Sequence, residues 1–250
     1  MKHQFSIRPG CYGPHSMAAY EHVKEIGVEF LEVGIPDNPS LLKDMLADED
    51  LGFKIGSFTF EVIADDPKIV DKFEKACAVC ADFSYQYFFS SVKTKRKFGR
   101  NNAQCYKVLH QLGDIAERYG KFISMETHPP FCLNAAEMLK TMEGVNHKAV
   151  RINFDTANIY YYNKLKPGDG LLEMERVKPY IGSLHIKQTN GQYKGWYFPP
   201  LNDPKGVVDF KKVFASMDQI GFTGLYTLEI EGIAGDIHKI TLEGAKKQVS

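Results

Sequence analysis

Short apolar runs and amphipathic runs take turns along this chain, separated by Pro and Gly at close, regular intervals. The apolar runs have the length and the β-branched or aromatic content of strands. They are Gln4–Ile7, Phe30–Gly34, Phe53–Phe60, Phe83–Phe89, Phe122–Met125, Val150–Phe154, Ile181–Ile186 and Leu225–Ile230. The runs between them carry apolar residues at helical spacing. Asn102–Tyr119 is the plainest, with Val108, Leu109, Leu112, Ile115 and Ala116 on one face. Further helices are predicted over Met17–Ile26 with Ser16 as N-cap, and over Pro39–Ala47 starting at Asn38 or Ser40. The rest are Asp66–Ala81, Asn134–Met142, Leu171–Val177, Val207–Ile220 with Asp209 near its start, and His238–Gln248.

Strands that alternate with helices run parallel, because each helix carries the chain back to the same end of the sheet. Eight such units in 250 residues is the size of a (β/α)8 TIM barrel. A doubly wound open sheet is the competitor. It would carry a Gly-rich phosphate turn after the first strand. The turn here, Pro9-Gly10-Cys11-Tyr12-Gly13-Pro14, lacks that pattern. No low-complexity linker divides the chain, so a single domain over residues 1–250 is expected.

Composition narrows the partners. With 31 basic and 31 acidic residues, no cationic excess is left to neutralise phosphates, which argues against a nucleic-acid partner. Apolar runs such as Val28–Pro36 are far short of a bilayer span, so no membrane partner is expected. Met1–Gly10 has no signal-peptide core, since His3, Gln4 and Arg8 interrupt it. Five scattered cysteines, Cys11, Cys77, Cys80, Cys105 and Cys132, read as reduced thiols of a cytoplasmic protein. Cys77 and Cys80 have redox or zinc spacing but lie within a helix, and no second Cys pair would close a zinc site.

In a barrel of this kind, chemistry sits where strands end. The fifth strand ends in Ser124-Met125-Glu126-Thr127-His128-Pro129-Pro130 and the sixth in Asn153-Phe154-Asp155-Thr156-Ala157-Asn158. The seventh gives Ser183-Leu184-His185-Ile186-Lys187-Gln188 and the eighth Thr227-Leu228-Glu229-Ile230-Glu231-Gly232. Taken singly, a strand-end carboxylate is more often a capping or ion-pair residue than a ligand, and a lone strand His is more often a satisfied core residue. Four successive strands supplying Glu126, Asp155, His185 and Glu229 among apolar neighbours are harder to explain that way, because each lone charge would be costly there. One divalent cation satisfies all four. Three carboxylates and an imidazole suit Mn²⁺, Mg²⁺, Co²⁺ or Zn²⁺, and the ligands alone do not choose among them. Glu231 shares a strand face with Glu229 and is the alternative ligand; Glu229 lies deeper in the apolar run.

The segments M-E-T-H-P-P, I-N-F-D-T-A-N-I-Y-Y-Y, L-H-I-K-Q-T-N-G and T-L-E-I-E-G resemble the sugar phosphate isomerase/epimerase family, also called the xylose-isomerase-like TIM barrel superfamily. That family includes ketose 3-epimerases, inosose dehydratases, 3-dehydroshikimate dehydratase and endonuclease IV. The resemblance is most specific from Phe122 onward. It implies a metal quartet at Glu126, Asp155, His185 and Glu229, with Mn²⁺ the first choice of ion. Two positions depart from the family pattern. Asn158 stands where a His often follows the metal-binding Asp, which weakens any second metal. Gln188 replaces the Asp of an H-x-K-D sequence, which alters how the His or the substrate is oriented. The early strands also lack the His residues that a trinuclear zinc nuclease needs.

The resemblance implies metal-assisted epimerisation or isomerisation of a keto sugar through an enediolate, with Glu126 and Glu229 both ligands and proton-transfer groups. Loss of a β-hydroxyl from the same intermediate would make the protein a dehydratase or lyase acting on a keto polyol or 3-keto glycoside. A catalytically silent sugar-binding barrel or enzyme subunit is the third reading. His128, Lys187, Arg8, Glu231 and Trp196 are the candidate substrate-binding residues, with Glu32 also near the mouth and an ordinary surface ion pair the competing role for the charged ones. Trp196 and Phe198 lie in a long loop, where an aromatic stacks on a sugar or packs the loop. No Gly-rich phosphate grip is visible, Gly232 and Gly235 being weak candidates, so an unphosphorylated or glycosidically linked sugar is expected. Homo-oligomers are common in the family, and nothing in the sequence marks an interface.

Overall fold

The computed structural model describes residues 3–95 and 102–250. Eight parallel strands close into a barrel: β1 (Gln4–Ile7), β2 (Phe30–Gly34), β3 (Lys54–Thr59), β4 (Tyr87–Ser90), β5 (Phe122–Glu126), β6 (Val150–Asp155), β7 (Ile181–Ile186) and β9 (Leu225–Leu228). The seam is the parallel pairing of β1 with β9, from Gln4 opposite Leu225 to Ile7 opposite Leu228. Two residues at Tyr197–Phe198 (β8) and two at Gly232–Ile233 (β10) form a separate antiparallel pair above the mouth.

Strand residues alternate between two different environments. Ile123, Met125, Ile152, Phe154, Leu184 and Ile186 point outward and join the main apolar core with the helices. Their neighbours point inward and are polar. Ser124 Oγ lies 2.6 Å from Ser183 Oγ, which donates to Asn153 Oδ1 at 2.7 Å. Tyr87 and Leu225, with Phe30 and Phe122 against them, form a second, smaller apolar cluster that Phe89 joins from the level of Ser124. The barrel axis thus passes from an aromatic plug through small hydroxyls to the charged residues at the strand ends.

The helices are α1 (Ala19–Glu25), α2 (Pro39–Ala47), α3 (Ile69–Cys80), α4 (Asn102–Arg118), α5 (Ala135–Val145), α6 (Asn158–Tyr162), α7 (Asp169–Val177), α8 (Phe210–Asp218) and α9 (Leu242–Val249). Asn38, Asn134 and Asp209 each accept a backbone N–H in the first turn of α2, α5 and α8, satisfying a donor the helix leaves free. Asn38, rather than Ser40, therefore starts α2. Ser16 caps nothing: residues Pro9–Ala18 wind through 3₁₀ turns, interrupted at Gly13, before α1 begins. The last helix starts at Leu242 rather than His238, because Thr241 supplies its cap after a 3₁₀ turn at Asp236–Lys239. The fourth strand is shorter than its apolar run, since Phe83 and Tyr85 pack against Phe58 ahead of it. All five cysteines are free and buried, Cys77 and Cys80 within α3. Among the described residues no helix is long and apolar enough to cross a membrane.

Candidate functional site

Glu126 and Asp155 are the last residues of β5 and β6, and His185 is the last but one of β7. Glu229 lies one residue past β9, where its N–H still donates to Ile186 O at 3.2 Å and extends the ladder. Asp155 pairs in register with His185, and His185 with Thr227. This register brings one ligand atom from each of Glu126, Asp155, His185 and Glu229 within 4.8 Å of the others, all four residues being buried.

The imidazole is held in one orientation. Its Nδ1 lies 3.1 Å from Glu229 Oε2, 3.9 Å from Glu126 Oε1 and 4.0 Å from Asp155 Oδ2. Its Nε2 lies 3.2 Å from Glu32 Oε1, and Ser57 Oγ donates to the other Glu32 oxygen at 2.8 Å. The ring stacks on Phe89 at 4.4 Å. Glu32 holds a proton on Nε2, so that release of the Nδ1 proton would present a lone pair to a cation among the three carboxylates, the pattern by which a carboxylate orients a metal-binding histidine.

Asp155 splits its two oxygens. Oδ1 accepts from the N–H groups of Ala157 and Asn158, both at 2.8 Å, at the start of α6. Oδ2 is buried and makes no hydrogen bond, with Lys187 Nζ 3.8 Å away. A buried carboxylate oxygen without a donor is costly, and this one faces the other three side chains of the cluster. Glu126 accepts from Ser91 Oγ and, at 3.2 Å, from Asn158 Nδ2. Glu229 is paired with Arg8 and lies 3.2 Å from Lys187 Nζ.

The charges leave room for a cation. Glu32, Glu126, Asp155, Glu229 and Glu231 face two permanent cations, Arg8 and Lys187, and one imidazole. Without an ion, protons fill the deficit. Burial and the Glu229 charge push Glu126 up, and burial pushes Asp155 up to about 7. Burial opposes the charge on His185, yet Glu32 and Glu229 outweigh it and raise it to about 10. Glu229 goes the other way: burial raises it, but Lys187, Arg8 and His185 hold it well below the usual carboxylate range. An oxygen-rich set with one imidazole, net acidic and with one orphaned oxygen, fits a divalent ion.

The five residues read as substrate contacts separate into groups. Arg8 bridges Glu229 and Glu32 and lies 5.3 Å over the Phe89 ring. Lys187 is fully buried, bonded to Glu231 and Glu229, with Asn158 Oδ1 at 3.4 Å and the Phe198 ring 4.2 Å away. Glu231 is thus turned to Lys187, while the Glu229 carboxylate stands among the four. Trp196 borders the mouth, its Nε1 donating to Glu231 O at 3.4 Å. His128 turns to the Pro129 carbonyl and packs edge-on against Tyr162 at 5.1 Å; no hydrogen bond joins it to the quartet among the described residues.

The two departures from the family pattern have local explanations. Gln188 does not orient His185. Its Oε1 accepts from Thr189 and Val208 N–H at 3.0 Å each and its Nε2 reaches Leu201 and Val208 carbonyls, so it pins the loop from 189 to 208. Asn158 joins Glu126 to Lys187. Ser57, Ser91 and the bond from Glu32 to His185 were not foreseen. Glu32 and His185 lie 153 residues apart, and no local pattern links them.

A second His/Asp group, His110, Asp114 and His147, lies outside the barrel. His147 Nδ1 accepts from Ala149 N–H at 3.0 Å, so Nε2 carries the proton toward Asp114 and Glu117, an ion-pair arrangement.

A sequence profile of the family described as xylose isomerase-like TIM barrel matches residues 20–248, and the chain belongs to that family. Similar solved structures include D-psicose 3-epimerase with D-tagatose from Clostridium cellulolyticum H10, with 14% identity, a TM-score of 0.74, and 99% of this chain and 95% of that one covered. The IolI protein with a bound zinc atom has 19% identity and a TM-score of 0.72, covering 98% and 94%. The apo form of 3-keto-D-glucoside 4-epimerase, YcjR, from E. coli has 14% identity and a TM-score of 0.71, covering 99% of both chains. At these identities the likeness is one of fold. No curated protein matches the chain.

Proposed function

We propose that the protein is a divalent-metal-dependent enzyme that epimerises or isomerises a keto sugar by moving a proton on the carbon beside the carbonyl. The observation that carries this reading is the convergence of Glu126, Asp155, His185 and Glu229 around the orphaned Asp155 Oδ2. Glu126, Asp155, Glu229 and His185 Nδ1 would hold the ion, with Mn²⁺ the first candidate before Mg²⁺, Co²⁺ and Zn²⁺. When bound, the ion would polarise the substrate carbonyl and make its α-proton more acidic.

The chain's own residues do the rest. Glu126 and Glu229 come from β5 and from the end of β9, and reach the His185 ring from separate strands. Two carboxylates so placed can take a proton from one face of a substrate carbon and return one to the other. Lys187 and Arg8 keep Glu229 anionic, and Arg8, which lines the cavity, offers donors to substrate oxygens. Asn158 and Ser91 hold the Glu126 carboxylate in place. The similar folds of D-psicose 3-epimerase and 3-keto-D-glucoside 4-epimerase favour the same substrate class.

The test is α-proton exchange in deuterated water. Protein treated with chelator is given each of the four ions and a panel of keto sugars. Exchange that needs an ion and disappears in Glu126→Gln supports the reading. Bound-metal analysis finding no ion, together with no exchange for any sugar, sinks it. Exchange accompanied by an enone absorbance would place the protein among dehydratases instead.

A further inference from the structure

Trp196 is the chain's single tryptophan and is held on several sides. Its carbonyl accepts from Ala234 N–H at 3.0 Å, so the backbone is tied to the segment after β10. Its ring meets Phe198 edge-on at 5.3 Å and Tyr161 at 6.1 Å. Even so, 45% of the residue stays exposed. A large aromatic fixed in place with an open face is a platform for another ring.

That platform walls a cavity of about 530 Å³. The inner wall is Arg8, Glu229 and Glu231, at the edge of the quartet. The outer wall is Gly10, Tyr20, Gly34 and Ile237, over the ends of β1 and β2. In the strand order of the barrel, β1 and β2 stand across from β5 and β6, which carry Glu126 and Asp155. The cavity therefore extends away from the quartet, over the opposite half of the mouth. Its volume lies within the range of pockets that enclose whole organic ligands. Of the quartet, Glu229 lines this cavity, whereas Glu126, Asp155 and His185 do not.

We propose that this cavity is a subsite for a second ring, so that the substrate is a keto sugar extended through a glycosidic bond. This rests on the keto-sugar reading above. The reacting ring sits at the quartet, and the attached ring lies over β1 and β2 against the Trp196 face.

Calorimetry on Mn²⁺-loaded protein compares D-fructose with turanose, lactulose and isomaltulose, which attach a second sugar at three different hydroxyls of fructose. At least one disaccharide is expected to bind about tenfold more tightly or better. It should also shift the emission of the lone tryptophan, which fructose leaves in place. Gly34→Leu supplies the control. Gly34 lines the cavity, and a Cβ there meets nothing within 4 Å, so the backbone has space for a side chain to start. In this variant the disaccharide gain is expected to vanish while fructose affinity is unchanged. Trp196→Ala should lose the same gain. Equal affinity for fructose and every disaccharide overturns the subsite, as does a gain that survives both substitutions. Fructose exchanging its α-proton without any disaccharide gain sinks the subsite alone. Absence of binding and exchange for every ketose sinks both readings together.

Discussion

Glu32, through its contact with Nε2, decides which nitrogen of His185 can act. It sits in the middle of a buried strand, bonded to Ser57 and beside Arg8, and reaches the far side of the imidazole. Removing such a partner typically weakens metal binding by about 10- to 100-fold. Glu32→Ala should therefore lower Mn²⁺ or Co²⁺ affinity by that order in chelator competition. Glu32→Gln, which keeps an acceptor for the ring N–H, should recover part of it. Equal affinities in all three proteins would mean the ring is held by Phe89 alone. The pH dependence follows from the same residues. In the metal-free protein His185 is raised from its ordinary value of 6.5 to about 10, so its stabilising protonation is complete below pH 6.5 and is lost as pH climbs toward 10. Asp155, raised to about 7, costs stability in the same direction between pH 4 and 7, where the unfolded chain has already released its proton. The melting temperature of metal-free protein should fall with rising pH, and ion affinity should rise over the same interval with measurable proton release. The quartet itself was legible because each member ends an apolar run, Ser124-Met125-Glu126 and Ser183-Leu184-His185 among them. The supporting residues were not, because Ser57, Ser91 and Glu32 meet their partners only after the ring closes.

At the scale of elements, the helix starts are the parts most nearly written in local sequence. Asn134 and Asp209 each precede an amphipathic run and accept an N–H three residues on. Replacing Asn134 by Ala should cost about 1 kcal/mol. The check is urea unfolding with an unchanged slope, and a loss below a few tenths would show that Asn163, which also contacts Asn134, carries the turn. The misplaced boundaries share a cause. Ser16 has the chemistry of a cap, but Pro14 and the positive φ of Gly13 hold the preceding chain in 3₁₀ turns, so the α-helix starts only at Ala19. Helix α6 escapes a periodicity reading because five residues are too few to show a period. What creates it is Asp155 Oδ1, which receives two of its first N–H groups. The β8–β10 pair is equally silent in sequence: two residues per strand carry no alternation. Its turn at Gly232 has φ of 76°, where a side chain would meet Asp236, so glycine is required there.

For the molecule as a whole, the barrel was readable from the count and order of units, while its closure was not. Nothing in Gln4-Phe5-Ser6-Ile7 announces Leu225–Leu228 as a neighbour; that pairing is settled only by curling eight twisted strands into a ring. The polar inward faces explain why the strands do not read as unbroken apolar runs, as buried parallel strands usually do. The seam has a consequence for how the protein matures. Arg8, from the first strand, grips Glu229, from beyond the last, across the junction where the ring is sealed. A newly made chain that has emitted only seven strands lacks both that clasp and Glu229, the third carboxylate of the quartet. During refolding from urea, the visible absorbance of captured cobalt should grow in only with the slowest phase, when head meets tail. An earlier rise would mean that three donors suffice to trap the ion in an unsealed cylinder.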